Sequence, residues 1–191
     1  MKVTKEKAAE HRAAIVKAAT RLFRERGLDG VGVAEITKAA GLTHGGFYGH
    51  FASRDALVAE ACDQSFANSL KRLLGGETAT APDLPTYLEG YLSERHRDRP
   101  DRGCPMAAYA SDIARQNETV QSRCAQGVDR FIDGFMERLP AGASRAQAIL
   151  MLSAMVGGMT LARATAKSAP DLSAEILESV RTQLVELVAA H

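Results

Sequence analysis

Nearly every stretch of the chain spaces its apolar residues at the period of an α-helix. Ile15, Ala18, Ala19, Leu22 and Phe23 recur at i, i+3, i+4, i+7 and i+8, which lines one helix face. Gly27 stops this helix, and Leu28-Asp29-Gly30 turns the chain. Val33 to Ala40 predicts a short second helix with Ile36 and Ala40 facing inward, ended by Gly41 where a left-handed residue is wanted. Thr43 is placed to cap a third helix running to about His50. Ser53 caps a long fourth helix with Asp55 in its first turn and the stripe Val58, Cys62, Phe66, Leu70 and Leu73. A polar connection over Gly75 to Pro82 leads to a fifth helix around Pro85, with Leu84, Tyr87, Leu88, Tyr91 and Leu92. His96 to Gly103 is a charged loop, and Pro105 suits the first turn of a sixth helix. Val120, Cys124, Val128, Phe131, Phe135 and Leu139 mark the seventh. Ser144 with Gln147 fits the capping box of an eighth. Pro170-Asp171 opens a ninth, with the stripe Ile176, Val180, Leu184 and Leu187. With no internal repeat and no strand pattern, the predicted class is all-α, with about nine helices.

Composition narrows the picture. The 191 residues are 46% hydrophobic and 25% charged, which excludes a disordered tail, a collagen-like chain and a disulfide scaffold. Cys62, Cys104 and Cys124 are odd in number and lack zinc-knuckle or CxxC spacing, so reduced thiols, no metal and no cofactor are expected, in a cytoplasmic protein. The charged start Met-Lys-Val-Thr-Lys-Glu-Lys is not followed by an apolar signal core. The longest apolar run, Ala148 to Ala162, contains Ser153, Gly157, Gly158 and Thr160 and falls short of the ~20 residues of a membrane span. It predicts a buried core or interface helix and no membrane partner. The net charge of +1 hides an asymmetry. Residues 1–55 hold ten Lys and Arg against six Asp and Glu, an excess of +4, while the remainder holds fourteen against seventeen, or −3. A small basic module on a mildly acidic body points to a nucleic-acid partner.

Residues 33–51 carry the motif. They read as helix, tight turn, helix, with Gly41 in the turn and Ala40 small enough for a close crossing. Ile36, Leu42, Phe47 and Phe51 share a core with Leu22 and Phe23. That leaves Thr37, Lys38, Thr43, His44, Gly45, Tyr48 and His50 outside, as insertion into a DNA groove requires. Gly45 and Gly46 are poor helix formers, and lack of bulk lets that face approach DNA closely.

These residues resemble the TetR/AcrR family of transcriptional regulators. The resemblance runs over about residues 10–62, through Ile15…Ala19…Leu22-Phe23…Gly27, Ile36…Ala40-Gly41-Leu42-Thr43…Phe47-Tyr48…His50-Phe51 and Ser53-Arg54-Asp55…Leu57. Val33 departs from it, standing where a hydroxyl residue often meets a phosphate; Arg54 and Asp55 replace Lys and Glu with the charges kept. The resemblance implies a three-helix DNA-binding domain over residues 1–52 and a helical-bundle domain for ligand binding and dimerisation over 53–191. It implies a homodimer on a palindromic double-stranded DNA operator, acting as a repressor released by a small-molecule inducer or by thiol modification. Carried over, Thr43, His44 and Gly45 meet base edges or nearby phosphates, and Tyr48, His50 and Arg54 grip the backbone. Thr37 and Lys38 are weaker candidates. No Arg, Asn or Gln on the recognition helix offers a bidentate base contact, so readout leans on His44, Thr43, water and DNA shape.

In the second domain, Phe66, Tyr87, Tyr91, Met106, Tyr109, Phe131, Phe135, Met155 and Met159 fit as a group an adaptable apolar pocket, although each alone is ordinary core. Small residues at Ala154, Gly157, Gly158 and Ala162, with Ile176, Val180, Leu184 and Leu187, predict a four-helix dimer interface. Cys104 in Gly103-Cys104-Pro105 falls at the cap of the sixth helix, where unpaired N–H groups and the helix dipole favour a thiolate. Arg99 and Arg102 add positive charge there, offset in part by Asp98 and Asp101. The Gly-Cys resembles that of family members that sense electrophiles or oxidants, so Cys104 joins the pocket set as a redox-sensor candidate and the effector is expected to be apolar or electrophilic. Cys62 and Cys124 lie on apolar stripes as inert core. No Ser/His/Asp grouping, P-loop or dinucleotide fingerprint is present, so no enzyme is expected. The competing classes are an all-α small-molecule-binding module and a small helical enzyme, each without DNA function.

Overall fold

The computed structural model describes residues 4–76 and 80–189, with the side chain of His44 outside the described set. Nine α-helices and no strand form among these residues. The first, α1 (Lys5–Arg26), starts at Thr4, whose hydroxyl accepts from the Lys7 N–H, and ends at Gly27. Gly27 has a φ of 79°, and a side chain there would meet Asp112 Oδ2 at 2.6 Å. It therefore serves both the turn and a close approach to a later helix. After α2 (Val33–Ala39), Gly41 turns the chain with a φ of 72°, as the pattern requires.

The segment assigned from the sequence to a third helix forms only a 3-10 turn, His44–Gly46, followed by further turns. Gly45, Gly46 and Gly49 account for the difference, since each adds backbone entropy that a regular helix would have to overcome. The long helix capped by Ser53 is thus α3 (Arg54–Leu74). The charged loop expected after α4 (Leu84–Tyr91) contains a short helix, α5 (Glu94–Arg97), and a 3-10 turn, Pro100–Arg102. Ser93 makes α5 possible by accepting from the His96 N–H.

Next come α6 (Pro105–Ile113), with Pro105 at its start, and α7 (Glu118–Met136). Helices α3 and α7 approach closely at two glycines: a Cβ on Gly127 would meet the Phe66 ring at 2.5 Å, and one on Gly134 would meet Leu70 at 2.9 Å. The Ser144–Gln147 capping box forms and opens α8 (Arg145–Thr165), which pairs with α9 (Pro170–Ala189). Ala148, Met151, Leu152, Met155, Met159 and Ala162 make one buried face of α8, which identifies this apolar helix as core.

The expected dimer set divides between two faces. Gly158, Ala162 and Leu184 are buried within the chain, and a Cβ on Gly158 would meet Val180 at 3.1 Å. Their small size serves the α8–α9 crossing inside one molecule, which removes them from the outward surface. Ile176, Val180 and Leu187 are half-buried against the same core. Ala154 and Gly157 fall instead on an outer stripe with exposed Leu150 and Leu161, and the space beside Gly157 is open.

Candidate nucleic-acid interface and effector cavity

The helix-turn-helix is built as its sequence pattern implies up to the recognition segment. The Leu42 N–H donates to the Thr37 carbonyl at 2.9 Å and the Gly41 N–H to that of Lys38 at 3.0 Å, closing the turn. Ile36, Phe47 and Phe51 are buried with Leu22, Phe23, Leu28 and Val31, and the Phe47 and Phe51 rings stack at 5.5 Å. Helix α1 clamps this unit through Arg12. Its guanidinium donates to the His50 carbonyl, pairs with Glu60 and lies 4.2 Å from the centre of the Phe51 ring. Arg12 was missed in the sequence, although its place three residues before Ile15, on the apolar face, is a readable signal.

Lys38, Thr43, Gly45 and Tyr48 face outward, Tyr48 being 66% exposed. His50 is half-buried, edge-on to His11 at 6.0 Å. The candidate His44 lies, by its side chain, outside the described residues. Two candidates need correction. Thr37 is only 1% exposed, and its hydroxyl donates to the Val33 and Ala34 carbonyls at 3.0 Å, which takes it out of the contact surface. Arg54 is half-buried, donates to the Leu28 carbonyl and sits 5.9 Å from the centre of the Phe23 ring. Its guanidinium is engaged in tying α3 to the end of α1.

A cavity of about 450 Å³ opens among α3, α4, α5, the Pro100–Arg102 turn and α7. Tyr87, Tyr91, Cys104 and Phe131 line it as expected. Phe66, Met106, Tyr109, Phe135, Met155 and Met159 do not; they are buried in the surrounding core, where helical periodicity alone cannot separate wall from filling. The rest of the lining is polar and was missed, chiefly Ser69, Arg72, Arg95, His96, Arg99 and Arg102. The charged stretch from His96 to Gly103 was the signal for His96, Arg99 and Arg102.

Cys104 is 2% exposed and caps α6. Its own N–H is not free, because it donates to His96 Nε2 at 3.0 Å. His96 Nδ1 in turn lies 2.7 Å from the Tyr91 carbonyl, which makes that nitrogen the protonated one. Burial pushes the His96 pKa down to about 4, against the opposing Tyr91 bond and with help from Arg163 and Arg72, so the ring is neutral at physiological pH.

The residues before Cys104 are held by three arginines that make no carboxylate pair among the described residues. Arg24 of α1 donates to the Gly103 carbonyl at 3.3 Å. Arg72 of α3 donates to the Arg102 carbonyl at 2.9 Å and to that of Gly103 at 3.4 Å. Arg163 of α8 donates to the His96 and Arg97 carbonyls at 2.9 and 3.1 Å. Burial lowers the pKa of both Arg24 and Arg163. A Cβ on Gly103 would come within 2.7 Å of the Arg163 guanidinium and 2.8 Å of the His96 ring, so a side chain here would displace the ends of both.

Cys62 and Cys124 are buried and adjacent across α3 and α7; their mutual hydrogen bond pushes the Cys62 thiol up and the Cys124 thiol down. Further polar ties join the two halves of the chain. The Leu28 N–H donates to Asp112 at 2.9 Å, Asn117 to Asp55 at 2.6 Å and Gln116 to Asp29 at 3.0 Å.

Known proteins agree with this architecture. Residues 15–61 match the bacterial regulatory proteins of the tetR family, and residues 84–175 match the C-terminal domain of LmrA/YxaF-like transcriptional regulators. The chain belongs to the TetR family. Among TetR-type relatives, the regulator LmrA of Bacillus subtilis is 25% identical over 171 residues, which cover 85% of this chain and 91% of LmrA. The transcriptional repressor DhaR of a Mycobacterium species is 26% identical over 130 residues, 67% of this chain and 65% of DhaR, so the match spans just under two thirds of that relative. A TetR regulator from Chloroflexus aurantiacus superposes with a TM-score of 0.76 at 24% identity, over 96% of each chain, and so shares the fold. As a TetR-family member the chain is a DNA-binding transcriptional regulator, and its helix-turn-helix is the DNA-binding unit.

Proposed function

We propose that the protein is a homodimeric repressor, working on DNA in the cytoplasm, that leaves a palindromic operator when the cavity beside Cys104 is filled or its thiol is modified. The observation that carries this reading is the Gly103 carbonyl. It accepts from Arg72, which lines the cavity, and from Arg24, which belongs to the first helix of the DNA-binding unit. An occupant that moves Arg72 or Cys104 moves the anchor of α1. The two recognition segments of a dimer must match grooves about 34–36 Å apart, so a small tilt of α1 and α3 disfavours the bound state. The name of DhaR, a transcriptional repressor, supports the sign of regulation. The outer stripe of Leu150, Ala154, Gly157 and Leu161 on α8 supports the second copy. Substituting Leu161→Glu lowers the sedimenting mass toward that of one chain.

Fluorescence anisotropy against the promoter DNA beside the gene tests the reading. Binding to a palindrome with two chains per site, falling steeply with salt, is the expected result. Lys38→Ala weakens all sequences alike, and His44→Ala changes which sequences bind. A uniform loss from His44→Ala removes its base-reading role. Alkylation of Cys104 by a quinone that leaves operator binding unchanged removes the thiol route. Absence of any salt-dependent palindrome binding defeats the operator reading itself.

A further inference from the structure

Resting on that effector reading, we infer that the cavity selects an anionic amphiphile: an aromatic body on the ring-lined floor with a carboxylate, sulfonate or phosphate at an arginine mouth. The lining places Arg72, Arg95, Arg99 and Arg102 around one opening and, among the described residues, contains no Asp or Glu. Asp101 accounts for part of that charge, pairing with Arg99 at 3.1 Å and Arg102 at 3.5 Å. Arg72 and Arg95 have no carboxylate partner among the described residues. Arg72 spends its donors on neutral groups, the Ser69 hydroxyl at 2.7 Å and the Arg102 and Gly103 carbonyls. His96 bonds through both ring nitrogens and adds no charge of its own. The positive excess at the mouth is therefore uncompensated, and a cationic ligand would meet it unfavourably.

The floor is of the opposite kind. Tyr87 and Tyr91 stand 6.2 Å apart between ring centres, and Phe131, itself buried, completes the aromatic lining. The Tyr91 hydroxyl is buried with no accessible surface, so what Tyr91 offers the cavity is its ring. The site thus has a charged end and an aromatic middle, on a volume of about 450 Å³ that suits a compact aromatic acid.

Calorimetric titration of the full-length protein with three probes tests the class: naphthalene carboxylate, the neutral naphthalenemethanol and the cationic naphthylmethylamine. The carboxylate binds about tenfold or more tightly than either of the others, and its advantage shrinks at high ionic strength. Arg95 is exposed and makes no hydrogen bond or ion pair among the described residues, so Arg95→Glu keeps the fold and lowers the affinity for the carboxylate far more than that for naphthalenemethanol, which removes the preference. Arg95→Lys restores most of the preference. Equal or tighter binding of the neutral or cationic probe, no binding of the carboxylate, or indifference to Arg95→Glu overturns the inference. Operator-binding assays with the same compounds separate the two readings. If the carboxylate binds as expected but leaves DNA affinity untouched, the ligand class stands and the effector reading falls. If naphthalenemethanol releases DNA and the carboxylate does not, the class falls and the effector reading stands.

Discussion

His96 shows how one side chain fixes the local chemistry around Cys104. Its ring joins the Tyr91 carbonyl to the Cys104 N–H, a bridge that needs one protonated and one bare nitrogen. A second proton would break the Cys104 contact and place a charge near Arg163 and Arg72. Its folded pKa of about 4 lies below the ordinary value near 6.5, so the unfolded chain takes up a proton in that interval that the folded chain refuses. Stability from this residue is complete above about pH 6.5 and is lost as the pH falls toward 4. Urea unfolding at about pH 7 and about pH 5 should show a loss of roughly 1–2 kcal/mol in the native protein that His96→Gln does not share. Equal losses in the two proteins would mean that His96 is not the proton acceptor.

At the scale of elements, the recognition segment is where local propensity and function oppose each other. Gly45 leaves open space where a Cβ would stand, so alanine fits there without a clash. Gly45→Ala should raise stability by up to about 1 kcal/mol, because alanine restricts the unfolded chain and favours a helical turn. The same methyl stands on the outward face and should weaken operator binding about tenfold if that face approaches DNA closely. A thermal melt and an anisotropy titration on one variant check both halves, and unchanged DNA affinity would remove the close-approach role. The helices with long apolar stripes and explicit caps, α1, α3, α7 and α8, and the striped α9 were legible because side-chain periodicity and packing agree in them. The 3-10 turn at His44–Gly46 was not, because the apolar positions of Phe47 and Phe51 keep helical spacing while the glycines between them do not hold a helix. The cavity was half legible for a related reason. Aromatic residues announce buried area, whereas its arginine mouth comes from parts of α3, α5 and a 3-10 turn that meet only in space.

Across the whole molecule, the link from cavity to DNA-binding unit runs through few polar contacts, and it can be cut without removing either end. Arg24 reaches the Gly103 carbonyl from α1, lines no part of the effector cavity and stands apart from the recognition segment. Its other bond, to the Thr20 carbonyl at 3.0 Å, stays within its own helix. Arg24→Gln should therefore fold, bind operator and bind a cavity ligand with affinities within about threefold of the native protein, since it touches neither partner. What changes is the interaction between the two binding events. Coupling between distant sites commonly amounts to about 1–3 kcal/mol, a 5- to 150-fold change in affinity, and it is the same measured from either end. In the native protein a releasing ligand should weaken operator binding by a factor in that range, and operator DNA should weaken ligand binding equally. In Arg24→Gln both factors should contract together toward unity. Contraction of one without the other would point to a changed binding site, and persistence of both at full size would place the coupling in the Leu28–Asp112 and Asp55–Asn117 contacts instead.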